Sequence, residues 1–227
     1  MNQSILEIKA LSVWYPNTEK PVINGFNLNL YQNEILCLRG PSGSGKSTIV
    51  ASIMGMLENY DARAVGNIFY DNVDLLGVSE EKMKMIRWHE IALVPQFSMN
   101  LFNPVYTIRQ TLREMMWLKN KNITKTKLQD QESLLMEMVH LEKSVLGCYA
   151  HEMSGGMKQR AAIALAMVHS PKILILDEAT TGLDIKIQAD VLGTILRLKK
   201  TMDMTILFIS HDAELGNNIS DRMVEIK

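Results

Sequence analysis

Gly40-Pro41-Ser42-Gly43-Ser44-Gly45-Lys46-Ser47 decides how the chain is read. It fits G-x-x-x-x-G-K-[ST] at every fixed position, and Thr48 follows directly. The short apolar run Glu34 to Arg39 before it predicts a strand buried on both faces. The residues after it predict a helix from about Lys46 to Leu57. In that strand–loop–helix setting the glycines let the backbone curl, so that successive N–H groups face phosphate oxygens. The helix N-terminus adds positive potential. Lys46 can then reach β- and γ-phosphates, and Ser47 can offer its hydroxyl to Mg²⁺.

Working outward, Lys172 to Leu176 is a second buried apolar strand, and it ends in Asp177-Glu178. In a parallel sheet its tip lies beside the phosphate loop. Asp177 there can hold Mg²⁺, directly or through a water. Glu178, one residue on, can orient and deprotonate an attacking water. These two motifs predict a phosphate-loop NTPase and nothing narrower.

His151-Glu152-Met153-Ser154-Gly155-Gly156-Met157-Lys158-Gln159-Arg160 places Ser-Gly-Gly at the head of a helix. Alone, it is also an ordinary serine N-cap. Shortly before the acidic strand it resembles the signature motif of the ABC ATPases. Other positions match that family in order: Tyr15, Gln96, Asp184 within Thr181-Gly182-Leu183-Asp184, and His211. The resemblance covers essentially the whole chain. It implies an α/β fold: a P-loop NTPase (RecA-like) core with an N-terminal antiparallel β subdomain and an inserted ABC α-helical subdomain. Residues 1–227 then form one nucleotide-binding domain. About 1–96 and 166–227 make the core and β subdomain, and about 97–165 the helical subdomain. It implies ATP and Mg²⁺ as ligands. Tyr15 stacks on adenine, Gln96 contacts Mg²⁺ and the attacking water, and His211 contacts the γ-phosphate. Ser154, Gly155 and Gly156 face the γ-phosphate held by a second ATPase subunit, and Asp184 communicates across that pair.

Within the family, Ser-Gly-Gly-Met-Lys-Gln-Arg and Asn100-Leu101-Phe102-Asn103-Pro104 resemble the oligopeptide, dipeptide and nickel importer ATPases. That type implies two permease subunits, an external binding protein, and a place on the cytoplasmic face of the membrane. The cargo would be peptides, nickel or metal–chelator complexes. A small exporter ATPase of lipoprotein-release type is the alternative, with a soluble ABC protein behind it. Ala179 and Met153 stand where the family commonly has proline and leucine. Many ATPases of this type continue past the switch histidine with a hairpin and a cysteine-bearing tail, and nothing of that tail is carried over. A permease-coupling groove is expected at roughly Phe97 to Met116, with Arg109 and Arg113 on it.

Bulk composition agrees. The net charge of −1 lacks the basic excess of a nucleic-acid binder, so no nucleic-acid partner is expected. Cys37 and Cys148 have no metal spacing, which argues against a zinc site or disulfide framework. No apolar run approaches the roughly 20 residues of a spanning helix. Met1 to Lys9 alternates and carries Glu7, unlike a signal peptide. Ile5 to Val13 reads as an edge strand. Val22 to Leu30 and Val65 to Tyr70 complete an antiparallel layer, with Asp71-Asn72 as a turn. Ile91 to Pro95 is a short strand, and Thr107 to Val168 is mostly helical. A helix over about Ile185 to Lys200 and a strand over Thr205 to Ile209 follow. The sixteen methionines lie mostly at helical spacing and are expected to fill core.

Overall fold

In the computed structural model, residues 3–96, 98 and 101–226 are described. Phe97 and Asn100, at the start of the expected coupling stretch, lie outside them, as do Met1, Asn2, Met99 and Lys227. The chain makes two sheets. β1 (Ser4–Trp14), β2 (Ile23–Tyr31), β4 (Arg63–Tyr70) and β5 (Val73–Asp74) form an antiparallel sheet in the order β2-β1-β4-β5. β3 (Ile35–Arg39), β6 (Ile91–Val94), β7 (Ile173–Asp177), β8 (Thr205–Ser210) and β9 (Arg222–Glu225) form a second sheet in the order β6-β7-β8-β3-β9. Every pair in the second sheet is parallel. All its strands therefore end on the same side, which gathers their C-terminal loops.

The strands of the parallel sheet are apolar throughout because both faces are covered. In β3, Leu36 and Leu38 belong to the core shared with the antiparallel sheet. Ile35 and Cys37 belong to the core on the opposite face. There α3 (Ile108–Lys119), α4 (Lys125–Met138), α5 (Gly155–Ala166) and α6 (Ile185–Met202) contribute Leu112, Met136, Ile163 and Ile195. Thr107 starts α3 with a reciprocal capping box to Gln110, a device worth about 1 kcal/mol. Among the described residues seven methionines, Met54, Met83, Met116, Met136, Met153, Met167 and Met204, are buried, and Met56, Met115, Met138, Met157 and Met223 pack partly buried against the cores, as gap-filling thioethers do.

Several expectations need correction. β1 is not an edge strand: it lies between β2 and β4. Alternation reports one buried face but not which strands flank it. α1 (Lys46–Ile53) ends before Leu57. Gly55 there turns left-handed at φ 60°, and a separate turn over Leu57–Tyr60 follows. β5, α2 (Glu80–Ile86), α7 (Ala213–Ile219) and β9 stand outside the elements expected from the sequence. Lys119 ends α3, and Lys125 opens α4 behind the Thr124 cap.

Candidate active site

Four loops meet at the C-terminal ends of β3, β6, β7 and β8 around a cleft of about 680 Å³. Its floor is the phosphate loop, from Pro41 to Thr48, and its far wall carries Gln96, Glu178 and His211. Gly45 caps α1 at φ 97°, and a side chain there would strike Ile23. Only glycine satisfies both demands. Ser47 is exposed toward the cleft, whereas Lys46 is buried. Lys46 Nζ donates to the carbonyls of Gly40 and Pro41, each at 2.8 Å. The ammonium is thus held inside its own loop.

Glu178 is the point of convergence. Gln96 Nε2 donates to its Oε2 at 2.8 Å, and His211 Nδ1 lies 3.5 Å from its Oε1. Thr181 Oγ1 also reaches Oε2, at 3.4 Å. The Glu178 backbone is left-handed, φ 48°, and its N–H donates to Ile209 O at 3.1 Å. A non-glycine residue in that region carries strain, and such strain gathers at functional positions. Asp177, one residue earlier, is buried. Burial, reinforced by the Glu178 charge, raises its pKa to about 6, with Lys46 pulling the other way. A cation beside it would relieve that cost. Ser47, Gln96 and Asp177 offer hydroxyl, amide and carboxylate oxygens, the hard donor set Mg²⁺ prefers, so the residues fit the metal. No cluster of three metal-binding His, Cys, Asp or Glu side chains occurs among the described residues, so any such site needs other oxygens as well.

The remaining sequence-predicted positions lie outside this cleft. Tyr15 stands beside α1, its hydroxyl 3.1 Å from Thr48 Oγ1 and its ring edge-on to Tyr60. Ser154 caps α5 and accepts from Met157 N at 3.4 Å. Asp184 caps α6 and accepts from Ile187 N at 3.0 Å. Gly155 opens α5 and is followed by Gly156, where a side chain would collide with Ile187 of α6. That glycine is therefore required by packing within the chain. Val22 on the cleft wall and the buried pair Ser98–Gln159 are not among the positions expected from the sequence. Gln159 stood within the quoted signature, but nothing marked Ser98.

Arg109 and Arg113 of α3 keep 44% and 34% of their side chains exposed. Both turn onto Glu132 of α4, whose side chain is 4% exposed. They serve as the counter-charge of a buried carboxylate, which the linear sequence could not reveal.

A phosphate loop on β3 and an acid pair on β7, in one parallel sheet, define the phosphate-loop NTPase class of α/β proteins. The chain belongs to the ABC transporter family, whose model matches residues 23–181. The dipeptide transport ATP-binding protein DppD of Caldanaerobacter subterraneus subsp. tengcongensis is 34% identical over 89% of this chain and 63% of its own length. The oligopeptide transport ATP-binding protein OppD of Bacillus subtilis is 36% identical over 96% and 62%. The metal-staphylopine import system ATP-binding protein CntD of Staphylococcus aureus is 37% identical over 99% and 83%. The chain thus spans just under two thirds of the length of the first two relatives. Among solved structures, cbiO1 from Clostridium perfringens superposes with a TM-score of 0.86 at 24% identity, covering all of this chain and 86% of that one. The bacterial ABC transporter cassette MJ0796, described as a dimer, gives 0.83 at 23%, covering 98% and 94%. At those identities the likeness is one of fold.

Proposed function

We propose that the chain is the ATP-binding, ATP-hydrolysing subunit of an ABC importer for peptides, nickel or metal–chelator complexes. The observation that carries this reading is the convergence of Gln96 and His211 on Glu178, across one cleft from the phosphate loop. The names of the relatives support peptides and metal complexes as cargo, and that of the metal-staphylopine import protein supports import over release. Lys46 and the loop amides bind the phosphates, and Tyr15 supports the base. Glu178 takes the proton of the attacking water, while Gln96 and His211 hold that water and the terminal phosphate in line. Ser47, Gln96 and Asp177 would hold Mg²⁺, which would supply positive charge to offset that of the phosphates.

Ser154, Gly155, Gly156 and Asp184 lie away from the cleft, as they must if they serve a site on a second ATPase subunit. The unit of function is then a head-to-tail pair, identical or related, with two permeases and an external binding protein. Residues 1–227 act as one nucleotide-binding domain, with the helical part bounded near residues 97 and 165. Among the described residues no helix is long and apolar enough to cross a membrane, so attachment at the cytoplasmic face would run through the permeases. Glu178→Gln should bind ATP as the wild type does and turn over at least about 100-fold more slowly, the scale of a lost general base. Near-normal turnover would sink the role given to Glu178.

A further inference from the structure

β9 ends at Glu225, which pairs with Arg39, the last residue of β3. Ile226 follows, and its N–H donates to Arg39 O at 2.8 Å. Its side chain is 6% exposed and belongs to the core shared with the antiparallel sheet. Beyond Arg39 comes Gly40, where β3 gives way to the phosphate loop. A methyl group on Gly40 would lie 2.5 Å from Ile226 Cγ2 and 2.7 Å from Ile226 O. The Gly40 backbone is therefore in van der Waals contact with Ile226. Gly45, near the other end of the loop, meets Ile23 of β2 in the same way, and Ile23 belongs to the same core. Neither isoleucine lines the cleft.

We propose that Ile226 is a positioning residue for phosphate binding: through its Cγ2 methyl it fixes where β3 hands over to the loop, as Ile23 fixes the loop's other end. Lys46 Nζ is bonded to Gly40 O, so the peptide that Ile226 touches is also one that holds the ammonium. A loop with glycine at 40, 43 and 45 has few side chains with which to keep its own shape. Its curl then depends on what packs behind it, and close-packed interiors transmit small displacements. Without the Cγ2 methyl, Gly40 would settle toward the space left behind. Its carbonyl would move relative to Lys46, and the loop N–H groups would lose their register with phosphate oxygens. The ion pair Arg39–Glu225 beside it is 32% and 49% exposed and contributes little to holding that junction. The inference rests on the reading of the loop as a phosphate site.

The test compares Ile226→Val, Ile226→Leu, Ile226→Ala and Leu30→Ala with the wild type, each as the full chain. Leu30 is buried in the same core, toward the end of β2 opposite Ile23, and serves as the packing control. Calorimetry with Mg²⁺ present measures affinity for ATP and for inorganic triphosphate, below every variant's melting temperature. Valine keeps the Cγ2 methyl and loses only Cδ1, whereas leucine keeps the volume and has no methyl on Cβ. A positioning role predicts that Ile226→Val binds both ligands within about twofold of wild type, while Ile226→Leu and Ile226→Ala lose at least about fivefold for each. Leu30→Ala should lower the melting temperature and leave both affinities unchanged. Wild-type affinities in Ile226→Leu and Ile226→Ala would reduce the contact to packing and overturn the proposal. A loss for ATP but not for triphosphate would also overturn it, since the effect would then lie at the base. Equal losses in Leu30→Ala would overturn it as general loosening. If Ile226→Ala does not fold, the valine and leucine variants carry the same comparison. A wild-type chain that binds neither ligand sinks the phosphate-site reading, and the role of Ile226 with it.

Discussion

Glu178 meets Gln96 and His211 only because its backbone turns left-handed as the chain leaves β7. The sequence named all three residues, but it could not say that they bond to one another. Lys46 behaves similarly: its motif foretold a phosphate ligand, and its tie to the Gly40 and Pro41 carbonyls emerged only from the folded loop. His169 was silent in the sequence. It is 5% exposed and stacks on His89 with ring centres 4.5 Å apart. Burial, then the His89 and Lys119 charges, depress its pKa from 6.5 to about 4. The unfolded chain therefore takes up the proton first. The stabilisation is complete above pH 6.5 and is lost as pH falls from there toward 4. At pH 5 the loss should be about 2 kcal/mol. His169→Gln should flatten the fall in melting temperature between pH 7.5 and pH 5. An unchanged slope would show that another group carries it.

At the scale of elements, legibility followed burial pattern. β3, β7 and β8 were readable because unbroken apolar runs mark strands covered on both faces. α3 and α5 were readable because Thr107 and Ser154 cap them. α2 and α7 are seven residues each, too short for helical periodicity to accumulate. β9 carries Arg222 and Glu225 and owes its place to pairing with β3 across the length of the chain. No local pattern encodes such a pairing, and the central position of β1 escaped for the same reason. The arginines of α3 are the sharpest case. Reversing Arg113 to Glu would set a second carboxylate against Glu132, within a pair that Arg109 only partly screens. Urea denaturation of Arg113→Glu should report a loss of about 2–3 kcal/mol, below the full cost of breaking a buried pair because Arg113 is itself one-third exposed. Full stability with uncoupled transport would instead return Arg113 to the coupling groove.

For the whole molecule, the parallel sheet explains why distant motifs share one cleft: four strands end on the same side. It also explains why the signature does not join them, since Ser154 sits at the head of α5, away from the cleft. A chain carrying half of two different sites is the central claim, and mixing two defective chains tests it most directly. Lys46→Ala damages the cleft, and Ser154→Ala damages only what is offered to a partner. Each variant alone should be inactive. In a mixed head-to-tail pair one site carries both defects and the other carries none. Random pairing of equal amounts should then restore about a quarter of wild-type ATP turnover. A mixture as inactive as its components would contradict the shared site.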